Sequence, residues 1–166
     1  MVTGRLPSEF TFMTNQPRPW QCERVIPSQS RAGRRVQQEI LDQLKRHHWG
    51  PRDVFSIHLA LEEALSNAIK HGNRSDPGKS VHIRCLLWPD RVWIEIADEG
   101  TGFCVSEVPD PTRPDRIEVP TGRGMMLMRS FMSRVEYNEL GNQVVMEKER
   151  SEAREPSLGE GAMQGN

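Results

Sequence analysis

The chain has 166 residues, of which 36% are hydrophobic, and 22 basic side chains stand against 23 acidic ones. This length and composition favour one domain with a hydrophobic core, and a formal net charge of −1 gives no overall field that would attract nucleic acid or a membrane surface. No apolar run approaches the roughly 18 residues of a membrane-spanning helix, and the N-terminus lacks the pattern of a secretory signal. We therefore expect a cytoplasmic protein with no membrane partner and no direct contact with nucleic acid.

The N-terminal part of the chain predicts an arm, a strand and two helices. Residues 1–19 contain three prolines and no sustained hydrophobic period, which is typical of a flexible arm. The segment 20–26 predicts an edge strand, and Ser28 or Ser30 is a candidate cap for a helix that runs to about His48. A second helix is predicted over 51–71, with Pro51 in its first turn and Gly72 as a left-handed cap.

The rest of the chain alternates strands with loops. The runs 81–88 and 91–98 predict a hairpin, and the prolines of 103–120 predict a long loop of the kind that is often functional. A helix over 125–133 and a hairpin formed by 134–137 and 143–148 follow. We expect one domain over 20–149 and a disordered tail over 150–166.

Three cysteines are present, Cys22, Cys85 and Cys104, and they are widely spaced. An odd number without a Cys-x-x-Cys pair supports neither a disulfide framework nor a zinc site. Free thiols are the expectation.

Three polar residues, Glu63, Asn67 and His71, lie four apart on the second helix and therefore form one stripe along it. An asparagine oxygen suits Mg²⁺, and a glutamate can orient a hydroxyl or a water for attack. The alternative is a solvated helix face on which Glu63 pairs with Lys70 or Arg52.

The sequence Asp98-Glu99-Gly100-Thr101-Gly102 directly follows a predicted strand. A fixed carboxylate there can accept a hydrogen bond from an exocyclic amine, which suits adenine, and the two glycines leave room for a ring. The alternative is a tight turn closed by the aspartate side chain.

The glycines of Thr121-Gly122-Arg123-Gly124 open a helix, so that free amides and the positive end of the helix dipole can meet a phosphate. Thr121 and Arg123 can add a hydroxyl and a charge. A lone Gly-x-Gly is weak evidence, and the alternative is simply a glycine-rich start of a helix. The order of the three clusters along the chain is what favours a nucleotide pocket.

These clusters resemble, in order, the N, G1 and G2 boxes of the GHKL ATPase superfamily, and more closely the bacterial anti-sigma factor serine/threonine kinases. The resemblance rests on Glu-Ala-Leu-Ser-Asn-Ala-Ile-Lys-His-Gly (63–72), Asp-Glu-Gly-Thr-Gly-Phe (98–103) and Gly-Arg-Gly-Met-Met-Leu-Met-Arg-Ser-Phe-Met (122–132), and it extends over about 20–149. It implies an α+β fold, a two-layer α/β sandwich in which helices cover one face of a mixed sheet.

The resemblance also implies roles for single residues. Glu63 is expected to be the catalytic base, Asn67 to hold Mg²⁺, and Asp98 to bind adenine. Glycines on both sides of the loop are expected to shape the pocket and its lid. The set expected around the nucleotide is Asn67, His71, Asp98, Gly100, Gly102, Thr121, Gly122, Arg123, Gly124 and Met125.

The function implied is that of an ATP-dependent serine/threonine protein kinase that acts as an anti-sigma factor. It would use ATP and Mg²⁺, phosphorylate an anti-anti-sigma partner and hold a sigma factor inactive. We also expect that it can pair with a second copy, through the region 20–35. Two alternatives remain: an ATP-binding regulator without kinase activity, and a detached histidine kinase ATPase domain, which the lack of a phosphoacceptor helix disfavours.

Overall fold

The computed structural model describes residues 18–103 and 120–151, with the side chains of 120–123 excluded. Residues 1–17 of the arm predicted over 1–19, most of the proline-rich loop and the tail beyond 151 lie outside that description. The described elements, in chain order, are β1 (Trp20–Pro27), α1 (Ser30–Arg46), α2 (Pro51–Ser66), a π-helix (Asn67–Gly72), β2 (Ser80–Leu87), β3 (Arg91–Asp98), α3 (Pro120–Phe131), β4 (Arg134–Tyr137) and β5 (Gln143–Glu149).

The strands form one sheet in the order β1-β2-β3-β5-β4, and helices pack on one face of it. The two-layer α/β sandwich expected from the sequence is confirmed. The expectation of mixed pairing was wrong for the described strands, because every pair among them is antiparallel. The reason lies in the last hairpin: β4 runs in the same direction as β3, but β5 is inserted between them.

The core lies between the sheet and the helices, and it follows from the period-two alternation of the strands. One face of β2 and β3 is fully buried against α1 and α2, with α2 in the centre of the helical layer, in contact with both α1 and α3. The side chains at the centre of this core are Ile40, Leu44, Ile57, Leu61, Val81, Ile83, Ile94 and Ile96. Within 18–103 and 120–151, no helix combines the length and hydropathy that a bilayer crossing requires.

Cys22 and Cys85 are buried free thiols, as expected, and Cys104 lies outside the described residues. Their distance along the sequence hid their proximity in the fold. They are directly opposite each other in the register of β1 and β2.

Three local predictions about the helices were wrong. Neither Ser28 nor Ser30 caps α1, because the N-cap residue is Gln29, which makes no side-chain capping hydrogen bond. The Ser28 hydroxyl instead donates to the Lys79 carbonyl oxygen at 2.8 Å. Gly72 is not the left-handed cap, since the positive φ angles of 55° and 57° belong to Arg74 and Ser75. Finally, α3 begins at Pro120 and not at 125, because proline suits the first turn of a helix.

The second helix also changes its geometry where the polar stripe begins. It is α-helical to Ser66, and from Asn67 to Gly72 it is a π-helix, in which the Asn73 N–H reaches back five residues to the Ala68 carbonyl oxygen at 2.9 Å. Such wide turns are rare and are frequent at functional sites. The simple four-residue stripe expected from the sequence therefore holds only from Glu63 to Asn67.

Asn73, which follows the π-helix, is fully buried and joins three parts of the fold. Its side-chain nitrogen Nδ2 donates to the Ser28 hydroxyl and to the Ser80 carbonyl oxygen, both at 2.8 Å. Its side-chain oxygen Oδ1 accepts the backbone N–H of Glu99 at 2.8 Å. The end of the π-helix is thereby fixed to the start of β2 and to the turn that follows β3.

We expect Asn73→Ala to lower the free energy of unfolding by about 3 kcal/mol, because it leaves buried donors and acceptors without partners. Urea denaturation followed by circular dichroism measures this loss. The control is Gln38→Ala, which removes only an exposed hydrogen bond to Asp42 and should change stability by less than about 0.5 kcal/mol. Equal stability of the two variants would show that the Asn73 contacts contribute nothing.

Candidate active site

A cavity of about 190 Å³ opens between the π-helix, the end of β3 and the β4–β5 turn. It is mostly apolar, with a few polar groups, which is the usual character of a small-molecule site. Its walls are formed by Ala64, Asn67, Ala68, His71, Gly72, Ile96, Asp98, Gly102, Phe103, Met125, Tyr137, Gly141, Asn142, Gln143 and Val144.

Much of the predicted set meets at this cavity, although its members are distant in sequence. Five residues of the predicted set line the walls of the cavity directly: Asn67, His71, Asp98, Gly102 and Met125. Gly100, Gly124 and Glu63 adjoin the lining without forming it. The side chains of Thr121 and Arg123 lie outside the described residues, and of Gly122 the structure gives only its place in the first turns of α3. Ala64 and Ala68 are small residues of the same helix that line the cavity beside Asn67.

The Asp98 carboxyl is the central acceptor of the site. Its Oδ1 accepts the N–H of Gly100 at 2.8 Å, and no described group donates to its Oδ2. Burial raises the pKa of Asp98 above its ordinary value, and the Gly100 N–H and the nearby Lys79 ammonium offset part of that rise. An acceptor held in place on one oxygen and open on the other can receive a donor from a ligand.

Gly72 lies directly beneath this carboxyl. A Cβ atom at position 72 would collide with the carboxyl carbon and with both oxygens of Asp98. Because Gly72 does not have a positive φ, the reason for glycine here is space and not backbone conformation. The absence of a side chain is what lets the end of β3 approach the π-helix.

Two glycines with positive φ close the other wall. Gly102 (φ 74°) packs on the Leu140 carbonyl group, and Gly141 (φ 76°) packs on the backbone of Phe103. Between them the Phe103 N–H donates to the Leu140 carbonyl oxygen at 3.1 Å. The Asp98 N–H also donates to the Asn142 carbonyl oxygen at 2.9 Å. The Asp98 turn is thus joined to the β4–β5 turn by backbone contacts that only glycine permits.

The side chains of Asn67 and Tyr137 both line the cavity. Burial, followed by the negative charge of Glu63, raises the pKa of Tyr137 to about 12, while the neighbouring Asn67 side chain lowers it. The side chain of Asn67 ends in a neutral amide oxygen, which is a ligand type that Mg²⁺ accepts.

Glu63 is half-buried, one turn before Asn67, and its carboxylate contacts the backbone of Gly124 in α3. A Cβ at position 124 would lie 2.8 Å from its Cγ and closer still to the carboxylate, so glycine is needed for this approach. The alternative ion pairs with Lys70 and Arg52 do not form within the described part of the chain. The positive end of α3 favours a carboxylate at this place.

Sequence reasoning missed several residues of the site. Tyr137 and Phe103 form an edge-to-face pair, with ring centroids 5.2 Å apart, at one wall of the cavity. Tyr137 is the single tyrosine of the chain, but no local motif marks it. Gly141 and Asn142 belong to a turn that the sequence did reveal, although their contact with the Asp98 turn appears only in the fold.

Residues 26–148 match the model of the histidine kinase-like ATPase domain. The chain belongs to this family. The resemblance drawn from the three clusters is therefore confirmed, and the description of the family as an ATPase domain supports the use of a nucleotide.

Similar proteins include anti-sigma factors and protein kinases. An anti-sigma F factor of Oceanobacillus iheyensis is 32% identical over 107 residues, which are 61% of this chain and 73% of that protein. The serine/threonine-protein kinase BtrW of Bordetella bronchiseptica is 28% identical over 94 residues, 55% of this chain and 66% of that protein. The serine-protein kinase RsbW of O. iheyensis is 27% identical over 102 residues, with 57% and 65% covered.

A solved structure shares the fold. The crystal structure of the RsbU and RsbW domains of Rv1364c from Mycobacterium tuberculosis superposes with a TM-score of 0.54 and 15% identity. The match covers 79% of this chain and 32% of that one. At this identity the likeness supports the architecture alone.

We expect Gly72→Ala to weaken ATP binding by about tenfold or more, or about 1.4 kcal/mol, because the new Cβ displaces the Asp98 carboxyl. Calorimetry with Mg-ATP measures the affinity, and a thermal melt checks the fold. Gly50→Ala is the matched control, since a Cβ at position 50 meets nothing within 4 Å. Unchanged affinity in Gly72→Ala would show that the position of the Asp98 carboxyl is irrelevant to binding.

Asp98→Asn should separate stability from binding. Because its pKa is raised by burial, Asp98 stabilises the fold most at low pH, and this contribution is lost as the pH rises through the raised pKa. At neutral pH the uncharged amide of the Asp98→Asn variant should therefore keep or raise the melting temperature. The Gly100 N–H would hold its amide oxygen and turn its NH₂ group, a donor, toward the ligand amine, so ATP affinity should fall. A variant that binds ATP like the parent would contradict the acceptor role.

Tyr137→Phe should lower the affinity for Mg-ATP by about two- to tenfold, the value of one hydrogen bond, because it removes the polar group that lies beside Asn67 at the cavity wall. Binding of ATP in the presence of EDTA should not change. Parallel titrations with and without Mg²⁺ make the comparison. An equal loss under both conditions would show that Tyr137 supports the nucleotide and not the metal.

Proposed function

We propose that this protein is an ATP-dependent serine/threonine protein kinase that acts as an anti-sigma factor. It would transfer the γ-phosphoryl group of ATP to a serine or threonine hydroxyl of an anti-anti-sigma partner and bind a sigma factor. The observation that carries the proposal is the half-buried Asp98 carboxyl, which is held on one oxygen and open on the other in a cavity of a histidine kinase-like ATPase domain. The names of the relatives support the choice of a protein kinase.

The described residues fit ATP and Mg²⁺. Gly72 leaves a cradle that a Cβ would fill, and there Asp98 would accept the exocyclic amine of adenine. Asn67 would offer its amide oxygen to Mg²⁺, which keeps waters and phosphate oxygens as its other ligands. His71 is exposed at the cavity and would lie near the phosphates. When bound, the metal neutralises charge on the phosphates.

The chemistry asked of the protein is mainly positioning, as is general for phosphoryl transfer. Glu63 would accept the proton of the substrate hydroxyl as the oxygen attacks phosphorus. Its carboxylate already lies one helical turn from Asn67 and at the start of α3, so the base, the metal ligand and the glycine-rich helix would act together. Gly122 and Gly124 would keep α3 close to the phosphates, and Met125 would close the cavity at the base of that helix.

The partners follow from the same proposal. An anti-sigma kinase requires two docking partners, a sigma factor and its antagonist, and both act in the cytoplasm, where we place this protein as well. A regulator that only binds nucleotide would need neither Glu63 nor its contact with α3.

The function is tested by incubating the purified protein with γ-labelled ATP, Mg²⁺ and a candidate anti-anti-sigma protein from the same genome. Labelled phosphoserine or phosphothreonine on the candidate is the expected product. ATP binding without transfer to any candidate of this class would favour the non-catalytic regulator.

Glu63→Gln should bind Mg-ATP with nearly the parent affinity and lose transfer by at least about 100-fold, the usual contribution of a general base. Glu62→Gln is the matched control, because Glu62 is the adjacent exposed carboxylate on the same helix. Single-turnover transfer and calorimetry separate the two effects. Transfer at the parent rate by Glu63→Gln would remove the base assignment.

A further inference from the structure

Two cysteine thiols face each other in the core, and the proposed phosphoryl transfer uses neither of them. Cys22 of β1 and Cys85 of β2 are directly opposite each other in the strand register, and both are free thiols. Side chains of opposite residues point to the same face of a sheet, which here is the face that the helices cover. Neither residue lines the cavity, so the pair is separate from the candidate active site.

The backbone holds the two residues at the separation of a disulfide. Just beyond β1, the Ser28 N–H donates to the Lys79 carbonyl oxygen at 3.2 Å, and these two residues continue the register of Cys22 and Cys85. Hydrogen-bonded and non-hydrogen-bonded pairs alternate along antiparallel strands, and Ser28 is an even number of residues from Cys22. The cysteines therefore form a hydrogen-bonded pair, with Cα atoms about 5.5 Å apart. Disulfides most often have a Cα separation of about 5.5–6 Å.

The side chains need a small movement before they can join. The Cβ atoms of a hydrogen-bonded pair are roughly 5.5 Å apart, whereas a disulfide holds them about 3.8 Å apart. Strand β1 is the element that can move, because it lies at the edge of the described sheet with a strand on one side only. The ion pair between Arg24 of β1 and Glu39 of α1 is partly exposed and therefore resists such a movement little.

The two thiols differ in acidity and in access. The neighbouring Cys85 thiol lowers the pKa of Cys22, although burial opposes this effect. The pKa of Cys85 lies well above its ordinary value, first because of the Cys22 thiol and then because of burial. Cys22 is 7% exposed and Cys85 is 0% exposed. Because the thiolate is the nucleophile, Cys22 is the thiol with which an oxidant reacts first.

We propose that Cys22 and Cys85 form a reversible disulfide that closes when the protein meets hydrogen peroxide. The bridge would join the edge strand β1 covalently to β2 and prevent the two strands from separating. In a reducing compartment such bridges are usually transient and redox-sensing, and other thiols reopen them by exchange.

The reaction has two steps. The Cys22 thiolate attacks one oxygen of the peroxide, the O–O bond breaks, and the other oxygen takes a proton and leaves as water, so that Cys22 becomes a sulfenic acid. The Cys85 sulfur then attacks the Cys22 sulfur, the S–O bond breaks, and the hydroxyl group leaves with the thiol proton of Cys85 as a second water. Two thiols lose two electrons in all, and one hydrogen peroxide is reduced to two waters.

The test uses the full chain carrying Cys104→Ala, so that the third cysteine cannot take part. After treatment with hydrogen peroxide, the protein is unfolded in the presence of N-ethylmaleimide, and the adducts are counted by mass spectrometry. We expect the adducts on Cys22 and Cys85 to be lost, together with the appearance of a linked peptide that contains both residues. Dithiothreitol added before unfolding should restore both adducts.

Single substitutions in the same background test the order of attack. Cys85→Ala should accumulate a sulfenic acid on Cys22 that dimedone labels, whereas Cys22→Ala should leave Cys85 unlabelled. A thermal melt checks that each variant is folded. Hydrogen exchange then tests the effect on the edge strand: the amides of β1 should exchange several-fold more slowly in the bridged protein than in the reduced one, because local opening of β1 is blocked.

Both adducts retained after peroxide treatment would show that the two thiols serve only as core packing, and the proposal would be wrong. A bridge between two chains, seen as a doubled mass without a reducing agent, would also overturn it. Dimedone on Cys85 in place of Cys22 would contradict the order of attack, and unchanged exchange in β1 would contradict the effect on the strand.

Discussion

The Asp98 carboxyl rests against the backbone of Gly72, and most of the site depends on that close approach. It requires a residue without a side chain at the end of the π-helix, and it places a partly desolvated carboxyl at the wall of the cavity. The wide turn from Asn67 to Gly72 and the buried Asn73 that follows it fix the position of Gly72. The raised pKa of Asp98 reflects the cost of burying its carboxyl, and the open oxygen is the acceptor that we propose for the ligand.

The rest of the site is joined to this contact through backbone packing. Gly102 packs on Leu140 of the β4–β5 turn, and Gly141 of that turn packs on Phe103. Gly124, near the start of α3, contacts the Glu63 carboxylate. Each of these contacts would be blocked by a Cβ atom. The glycines therefore act mainly by allowing parts of the chain to approach one another, and the loop amides that would bind phosphate come from the same segments.

The sequence predicted the fold well where a pattern is local. The strand alternation of β2 and β3 and the apolar spacing of α1 gave their bounds within a few residues, and the order of Asn67, Asp98 and Gly124 indicated one pocket. It failed where the structure depends on contacts between distant residues. The π-helix, the buried hydrogen bonds of Asn73 and the place of Tyr137 beside Asn67 at the cavity have no signature in the local sequence. The sequence also assigned Gly72 to a helix cap, whereas the structure shows that glycine is needed there for space. The insertion of β5 between β3 and β4, which makes the described sheet antiparallel, is likewise a property of the whole chain.

If the open oxygen of Asp98 accepts the amine of adenine, as we propose, the protein should distinguish ATP from inosine triphosphate. The two nucleotides have the same ribose and triphosphate, but inosine carries an oxygen where adenine carries the amine. Calorimetry on the folded protein with Mg²⁺ should show that inosine triphosphate binds at least about tenfold more weakly, because a site built around a hydrogen bond rejects an analogue that lacks it. Equal affinities for the two nucleotides, or no heat with either, would show that Asp98 does not accept the adenine amine.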